Sequence, residues 1–587
     1  MKIIIIDSGI DKEHSLLKGY NIKQLKYKKS TNSSFVEENE KDEIGHGTAV
    51  GYIVGKRCPK AEILMIKAYG KDESIDEEKL IDILEYIEAN IECNIINLSL
   101  TINYCKKRKR LESICNKLSD KGCIIIAAYD NSGTISYPAA FDSVIGVDMS
   151  IKCASINEYV YNETSVVNIR GMASKQRLPW INGEMKYVEG SSYIVPHIVS
   201  EVYNIMQLGI SNRVKILEEL KFRAKWIEQN EEPNIQKVKN IKKIIIYSIS
   251  KETINLIKYS NLSSYEIIGI YDNKYHKRNG YGISNIQDVK RINWEDDFDT
   301  LIIGPVVFMS EIEIKIRVDL IEKANKNGKI VYLLDSKILK YIPDCKVMDN
   351  LFYPEKNINT FELQNYGKLW NIQCPVICVA GTSSKQGKFT VQMELRKRFL
   401  KDNYKVGQLG TEPSALLYGF DECFPYGFNS EINLNNSEQI SCVNYLMHKI
   451  DDIEVDLILV GLQSNVTHAS YGNIAFYPTS QYEMLMGTDP DIMVLCINYN
   501  DSLDYIDRTL SYLKAVTNVS YYVLGLFPFE KKYGWNDLTE NSYIRIPEYL
   551  IEQRKIVIEK KFHCKVYNIA DEGELSLLYE GIINYLK

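Results

Sequence analysis

The feature that most restricts the fold is an alternation carried along most of the chain: short runs of β-branched residues, each followed by a stretch with helical periodicity. The first runs are KIIIID at the start, AEILMIKAY at 61–69, CNIINLSL at 93–100 and GCIIIAAY at 122–129, with a helical stretch from Glu77 to Ile91 between the second and third. Runs so short and so continuously apolar leave no face for water, the habit of parallel strands covered by helices on both sides. The 587 residues exceed what one core holds, and the length predicts about three or four domains. The first block fades after Gln207, and the charged stretch 208–241 reads as a linker with one helix. KKIIIYSIS opens a new sheet at Lys242, continued by IIGIYDN and DTLIIGPVV, and KIVYLLD closes it near residue 335. This predicts a small doubly wound sheet over 242–365, and CPVICVAG then opens a third block, 366–587.

Composition excludes several classes of function. A hydrophobic share of 45% and a charged share of 25% are those of an ordinary folded protein, and a net charge of −6 argues against nucleic acid as a partner. No stretch approaches the roughly 18 apolar residues that span a bilayer, and the opening apolar run is too short for a secretory signal. The expectation is therefore a cytoplasmic protein without a membrane partner. The 13 cysteines are odd in number and scattered. The closest pair, Cys374 and Cys378, forms a lone C-x-x-x-C, too little to specify zinc, so free and mostly buried thiols are expected.

Three motifs in the first block carry chemistry. Asp7-Ser8-Gly9 ends the opening strand, where a tight turn can aim a carboxylate at a histidine. Gly45-His46-Gly47-Thr48 puts an imidazole at the start of an apolar helix, with glycines permitting close backbone approach. Gly190-Ser191-Ser192-Tyr193-Ile194-Val195-Pro196 puts a serine at a helix N-terminus, whose dipole favours developing negative charge. A serine is a poor nucleophile until an imidazole takes its proton, and a buried acid must hold that imidazole in the right tautomer.

The order Asp7, His46, Ser192 resembles the subtilase family of serine proteases over about residues 1–207. The resemblance implies a subtilisin-like parallel-sheet protease domain, no cofactor for proteolysis, and a peptide or protein substrate. It implies that Asn131, in Ala127-Ala128-Tyr129-Asp130-Asn131-Ser132-Gly133, donates to the oxyanion. It also implies that Ser99, Leu100 and Thr101 form the edge along which an extended peptide lies. Two positions depart from the family pattern: Asp130 replaces the usual glycine before the asparagine, and Ser191 replaces the usual threonine before the nucleophile.

The third block opens on a different constellation. The strand CPVICVA runs into Gly381-Thr382-Ser383-Ser384-Lys385-Gln386-Gly387-Lys388-Phe389-Thr390 and then a helical stretch, the parts of a phosphate cradle. The spacing G-x₅-G-K-x-T is longer than the standard loop and resembles the dethiobiotin-synthetase-like branch of P-loop proteins. With the sheet at 242–365, the order of motifs over about 242–530 is similar to the DUF1611 family. That family pairs a Rossmann-like domain with a P-loop NTPase-like α/β domain, and some members act in N-acylation of D-glutamate.

This resemblance implies ATP as a ligand, held by Gly381, Thr382, Lys385, Gly387 and the phosphate lysine Lys388. Thr390 becomes an Mg²⁺ ligand. Where the family's next acidic strand ends in Glu-Gly, this chain has Val460-Gly461, which argues against hydrolysis; Glu412 is the substitute carboxylate for Mg²⁺. No G-x-G-x-x-G occurs in 242–365, so NAD is not expected there.

Three functions are compatible with these motifs. The leading one is a serine endopeptidase of the subtilisin type, fused to a nucleotide-binding module and maturing a ribosomally made peptide precursor. The second is an ATP-dependent ligase or acyl-transfer enzyme with an accessory protease domain. The third is a scaffold that binds peptides without cutting them.

Overall fold

The computed structural model describes residues 1–28, 34–37, 41–229, 241–273, 283, 285–305, 310–342, 348–354, 364–426, 432–469, 472, 477–478, 480–532 and 542–587. The chain divides into two compact units. The first holds Met1–Glu232 together with Glu362–Gln373, and the second holds Pro233–Phe361 and Cys374–Lys587.

The first unit is built on a ten-stranded sheet. Its strands are β1 (Lys2–Asp7), β2 (Ile22–Lys28), β3 (Ser34–Glu37), β4 (Glu62–Lys67), β5 (Ile95–Leu98), β6 (Ile124–Ala128), β7 (Val144–Ser150), β8 (Tyr159–Asn162), β9 (Ile169–Met172) and β12 (Trp226–Glu228), while β10 (Gln176–Pro179) and β11 (Met185–Val188) form a separate hairpin. The spatial order is β12-β8-β9-β7-β6-β5-β1-β4-β2-β3, parallel except at β2–β3 and β8–β9.

Ile3 to Ile6 are fully buried, and their alternation explains why. Ile3 and Ile5 pack on one face with α1 (His46–Arg57) and α4 (Val195–Gln207). Ile4 and Ile6 pack on the other with α2 (Glu77–Asn90) and α3 (Arg108–Asp120). The strand order turns at β1: β4 and β2 lie to one side of it, β5 and the later strands to the other. Open parallel sheets bind ligands at the carboxyl ends of the strands beside such a switch point. Asp7 ends β1 and Ser99 follows β5, which pairs with it, so both arrive at that place.

The stretch expected as a linker differs from that expectation. Within it, α5 (Arg213–Arg223) sinks Ile216 and Leu220 into the same core as Ile3, and β12 pairs in parallel with β8. Its charges are the solvent face of an amphipathic helix. The remainder, 230–240, lies outside the described residues. Residues 366–373, expected to open the third domain, also pack with the first unit.

In the second unit, six parallel strands lie in the order β15-β14-β13-β16-β17-β18. They are β13 (Lys243–Tyr247), β14 (Glu266–Tyr271), β15 (Ile286–Gln287), β16 (Thr300–Ile303), β17 (Ile330–Leu333) and β18 (Leu351–Phe352). A second sheet of seven parallel strands has β19 (Val376–Gly381) at its centre, between Leu457–Gly461 and Ile492–Asn498. Ile244 and Ile246 of the first sheet share one apolar cluster with Met393, Tyr418 and Phe420. The two expected domains therefore form a single compact unit. Among the described residues twelve cysteines are free and nine of them are buried; Cys378 sits inside β19.

Candidate active site

Because β1 is covered on both faces, its terminal carboxylate is delivered into the interior: Asp7 is fully buried. Its Oδ1 meets His46 Nδ1 at 2.8 Å and also accepts from the Ser8 amide at 2.7 Å and the Tyr69 hydroxyl at 3.2 Å. The buried Oδ2 has no hydrogen-bond partner. The turn that follows must let a helix start on top of it. A Cβ on Gly47 would lie 2.1 Å from the Gly9 carbonyl oxygen, and one on Gly45 would lie 2.3 Å from the Trp180 ring. Gly45 also has φ +101, a conformation open to glycine. These close approaches explain the glycines on either side of His46.

A second buried carboxylate supports the same helix. Asp42 accepts from the Ser8 hydroxyl at 2.9 Å, the Ile44 amide at 2.9 Å, and the Thr48 amide and hydroxyl at 3.0 and 2.7 Å. It satisfies a free amide of the first turn of α1 and places negative charge at the positive end of the helix. Ser8 in turn accepts from the Gly47 amide at 3.0 Å. Burial of His46 disfavours its charged form, but the charge and hydrogen bond of Asp7, with the charge of Asp42, outweigh it and hold the imidazole above its ordinary pKa.

Ser192 occupies a single turn, Ser191–Tyr193, that leads into α4. Its hydroxyl donates to the Ser99 carbonyl at 3.1 Å, and no bond joins it to His46. The Ser99 hydroxyl donates back to the Ser192 carbonyl at 2.8 Å and accepts from Asn97 Nδ2 at 3.0 Å. The His46 ring lies 5.0 Å from the ring of Tyr193, the residue next to Ser192.

On the other side, the Asn131 carboxamide oxygen accepts from the Ser191 amide at 3.0 Å and its hydroxyl at 3.1 Å. Asn131 Nδ2 lies 2.9 Å from where a Cβ of Gly190 would be, so the Gly190 φ of +131 and the missing side chain make room for the amide. Leu100 is buried, Thr101 half-buried, and Ile102 pairs with Tyr137.

Acid, imidazole, serine and carboxamide thus converge on one end of one sheet. Residues 1–207 match the subtilase family. The N-terminal domain is subtilisin-like. Solved structures similar to this subtilase domain include a cold-adapted subtilisin-like serine proteinase (17% identity, 38% of this chain and 81% of that one, TM-score 0.30). Others are sphericase (23%, 38% and 82%, TM-score 0.32) and a lanthipeptide protease (14%, 37% and 78%, TM-score 0.31). Residues 364–518 match a P-loop domain described as a domain of unknown function, DUF1611_C. No curated protein matches the chain.

The motifs of the subtilase domain had pointed to Asp7, His46, Ser192 and Asn131; Asp42, Tyr69 and Asn97 had not been singled out. An acid four residues before the histidine is the one local signal for Asp42, as a helix-capping carboxylate.

In the P-loop domain, Gly381 ends β19 and Gly387, at φ +87, caps α6 (Lys388–Lys401). Lys388 is buried, its Nζ donating to the carbonyls of Ser383 and Ser464 at 2.6 and 2.7 Å. Burial, chiefly, pushes its pKa down to about 8, with Lys251 adding and Cys496 and Glu412 opposing. Thr382 donates to Asp501 at 2.5 Å, and its carbonyl accepts from Tyr505 at 2.6 Å. Lys385 is exposed at φ +59, and Thr390 is half-buried in the first turn of α6. Glu412 lies 3.5 Å from Lys251, and its Oε2 is buried without a hydrogen-bond partner.

Proposed function

We propose that the chain is a serine endopeptidase in which Ser192 is the nucleophile, His46 the general base and Asp7 its orienting acid. The observation that carries this reading is the buried 2.8 Å contact of Asp7 with His46 Nδ1 beside the Ser192 turn. With Nδ1 donating to Asp7, Nε2 is free to take a proton. Ser192 Oγ gives up its bond to the Ser99 carbonyl, passes its proton to Nε2 and attacks the scissile carbonyl carbon. The developing oxyanion receives Asn131 Nδ2, whose carboxamide is fixed through Ser191. The imidazolium, stabilised by Asp7, then gives its proton to the leaving amine, and the acyl-enzyme is released by water along the reverse path. An extended peptide lies along Ser99, Leu100 and Thr101. The natural substrate in this reading is a peptide precursor, in keeping with one similar structure being a lanthipeptide protease.

The P-loop domain adds phosphate binding to this reading. The donor set fits a nucleotide: the loop from Gly381 to Lys388 with Lys388 as its cation, and Thr390 and Glu412 as oxygen donors for Mg²⁺. When bound, ATP with Mg²⁺ would supply phosphoryl chemistry or a binding signal. The orphaned buried oxygen of Glu412 is the feature that favours a cation there.

A fluorophosphonate probe tests the protease reading, since it reacts with an activated serine. Labelling of the full chain, cleavage of peptides, and loss of both in Ser192→Ala are expected. A folded wild-type chain that neither labels nor cleaves would leave a peptide-binding scaffold as the better account.

A further inference from the structure

The subtilase domain does not end where its family match ends. Residues 364–373 return to it from beyond the small six-stranded sheet and fasten through six residues. The Asn365 carboxamide oxygen accepts from Ser165 at 2.8 Å. The Tyr366 hydroxyl donates to Glu228 at 2.6 Å and accepts from Asn162 at 2.8 Å, while the Arg170 guanidinium lies 3.8 Å over its ring. The Leu369 carbonyl accepts from the Ile135 amide at 2.9 Å. Trp370 packs against the core that holds Tyr129 and Tyr137, and Asn371 donates to the Asn103 carbonyl at 2.7 Å. Asn365 and Tyr366 are both left-handed, at φ +50 and +57, a conformation two adjacent non-glycine residues keep only when their partners over-determine it.

The segment buries one cation. Lys368 is 8% exposed, its Nζ donating to the Asp130 carbonyl at 2.9 Å and pairing with Asp148 at 3.3 Å. That carbonyl belongs to the peptide unit joining Asp130 to Asn131, so fixing it fixes the plane from which the Asn131 side chain departs. The Asp130 carboxylate accepts from the Ser132 amide and hydroxyl, both at 2.6 Å, and from Asn103. Asn103 is the residue that Asn371 holds. Lys368, Asp130, Asn103 and Asn371 therefore close a circuit that starts and ends on the returning segment. Asp130 is the residue that replaces the family's glycine, and its side chain is one link of that circuit.

We propose that Lys368 is a positioning residue for the oxyanion loop, acting on catalysis through Asn131. The protease site is then completed by a residue 161 positions beyond the end of the subtilase match at residue 207. This rests on the protease reading above.

The test uses the full chain and steady-state peptide cleavage. Lys368→Met alone would leave Asp148 buried without its cation, so the informative variant is Lys368→Met with Asp148→Asn. Misplacing a catalytic group by about 1 Å costs up to about 10²-fold. The expected result is a 10- to 100-fold lower kcat with KM little changed. The same pair of substitutions made on Asn131→Ala should have no further effect on kcat, because the group it positions is gone. Asn371→Ala cuts the circuit while keeping every charge; it should lower kcat in the same way by a smaller factor, and it decides the matter if the charge variant does not fold. Wild-type kcat in these variants, or an undiminished loss on Asn131→Ala, overturns the proposal while leaving the protease reading intact. An inert wild type removes both.

Discussion

The Ser192 hydroxyl donates to the Ser99 carbonyl at 3.1 Å, and the Ser99 hydroxyl donates to the Ser192 carbonyl at 2.8 Å. This reciprocal pair locks the turn before α4 to the end of β5, with the proposed nucleophile parked on a backbone acceptor. Ser192→Ala removes one hydroxyl and leaves the Ser99 donor in place, so the fold should be retained. Cleavage should fall by about 10⁶-fold, as when a nucleophile is removed from such a unit, while peptide affinity persists. Comparing turnover with peptide binding by fluorescence anisotropy checks both halves.

Asn131→Ala should act differently. Its carboxamide oxygen holds the Ser191 amide, and its Nδ2 sits by Gly190. Loss of one oxyanion donor costs about 10²–10³ in turnover with little change in KM. Asn131→Asp keeps an oxygen acceptor for Ser191 but supplies no donor, so it should be as slow as the alanine variant. Recovery of wild-type kcat in Asn131→Asp would show that only the Ser191 contact matters.

The two carboxylates around α1 set a pH response. Asp7 and Asp42 together hold the His46 pKa above its ordinary value against the effect of burial. A raised pKa keeps the imidazole protonated to higher pH, and a protonated imidazole cannot act as a base. The acid limb of the kcat/KM profile should therefore lie above pH ~6.5, with activity rising through it. Asp42→Asn removes one of the charges that raise the pKa, so the limb should move to lower pH. The same shift enters stability with the opposite slope: the contribution of charged His46 is present below pH ~6.5 and is lost as pH rises through the folded pKa. An unmoved limb in Asp42→Asn would exclude Asp42 from the electrostatics of the base.

The glycines of the site make a mechanical prediction. Gly45→Ala meets both a left-handed φ of +101 and the Trp180 ring at 2.3 Å, whereas Gly133→Ala meets only a φ of +111 in open space. Backbone strain and overpacking together should cost Gly45→Ala roughly 2–4 kcal/mol, and strain alone should cost Gly133→Ala about 1 kcal/mol. Urea unfolding of the two variants measures the difference.

The sequence revealed what is local and left hidden what is long-range. Four consecutive isoleucines can only be a strand covered on both faces, and the glycines around His46 announce a close backbone approach; both are legible because neighbouring residues carry the signal. Asp42 was missed because its partner Ser8 lies 34 residues earlier, across a turn and two strands. Lys368 was missed for a stronger version of the same reason: its partner Asp130 is 238 residues away, and a lysine in a polar stretch has no periodicity to mark it. The segment 208–241 read as a linker because only Ile216 and Leu220 are buried in α5, too few apolar positions to stand out among its charges.

Lys388 offers the clearest test of the second unit. Its ammonium is buried and satisfied by two loop carbonyls, with burial pushing its pKa down to about 8. A phosphate offers such a lysine better acceptors than carbonyls do, because both partners are then charged. Lys388→Ala should weaken ATP binding by about 10- to 100-fold, the value of a charge-assisted hydrogen bond, while Lys385→Ala, at an exposed position, should weaken it less. The pH dependence has a definite sign. Lys388 must be charged to bind phosphate, so wild-type affinity should decline as pH rises through about 8, and Lys388→Ala should lose that part of the decline. Calorimetric titration of ATP at pH 7 and pH 9 measures all three. Equal affinities for the wild type and Lys388→Ala would remove the lysine from the phosphate site, whatever the loop looks like.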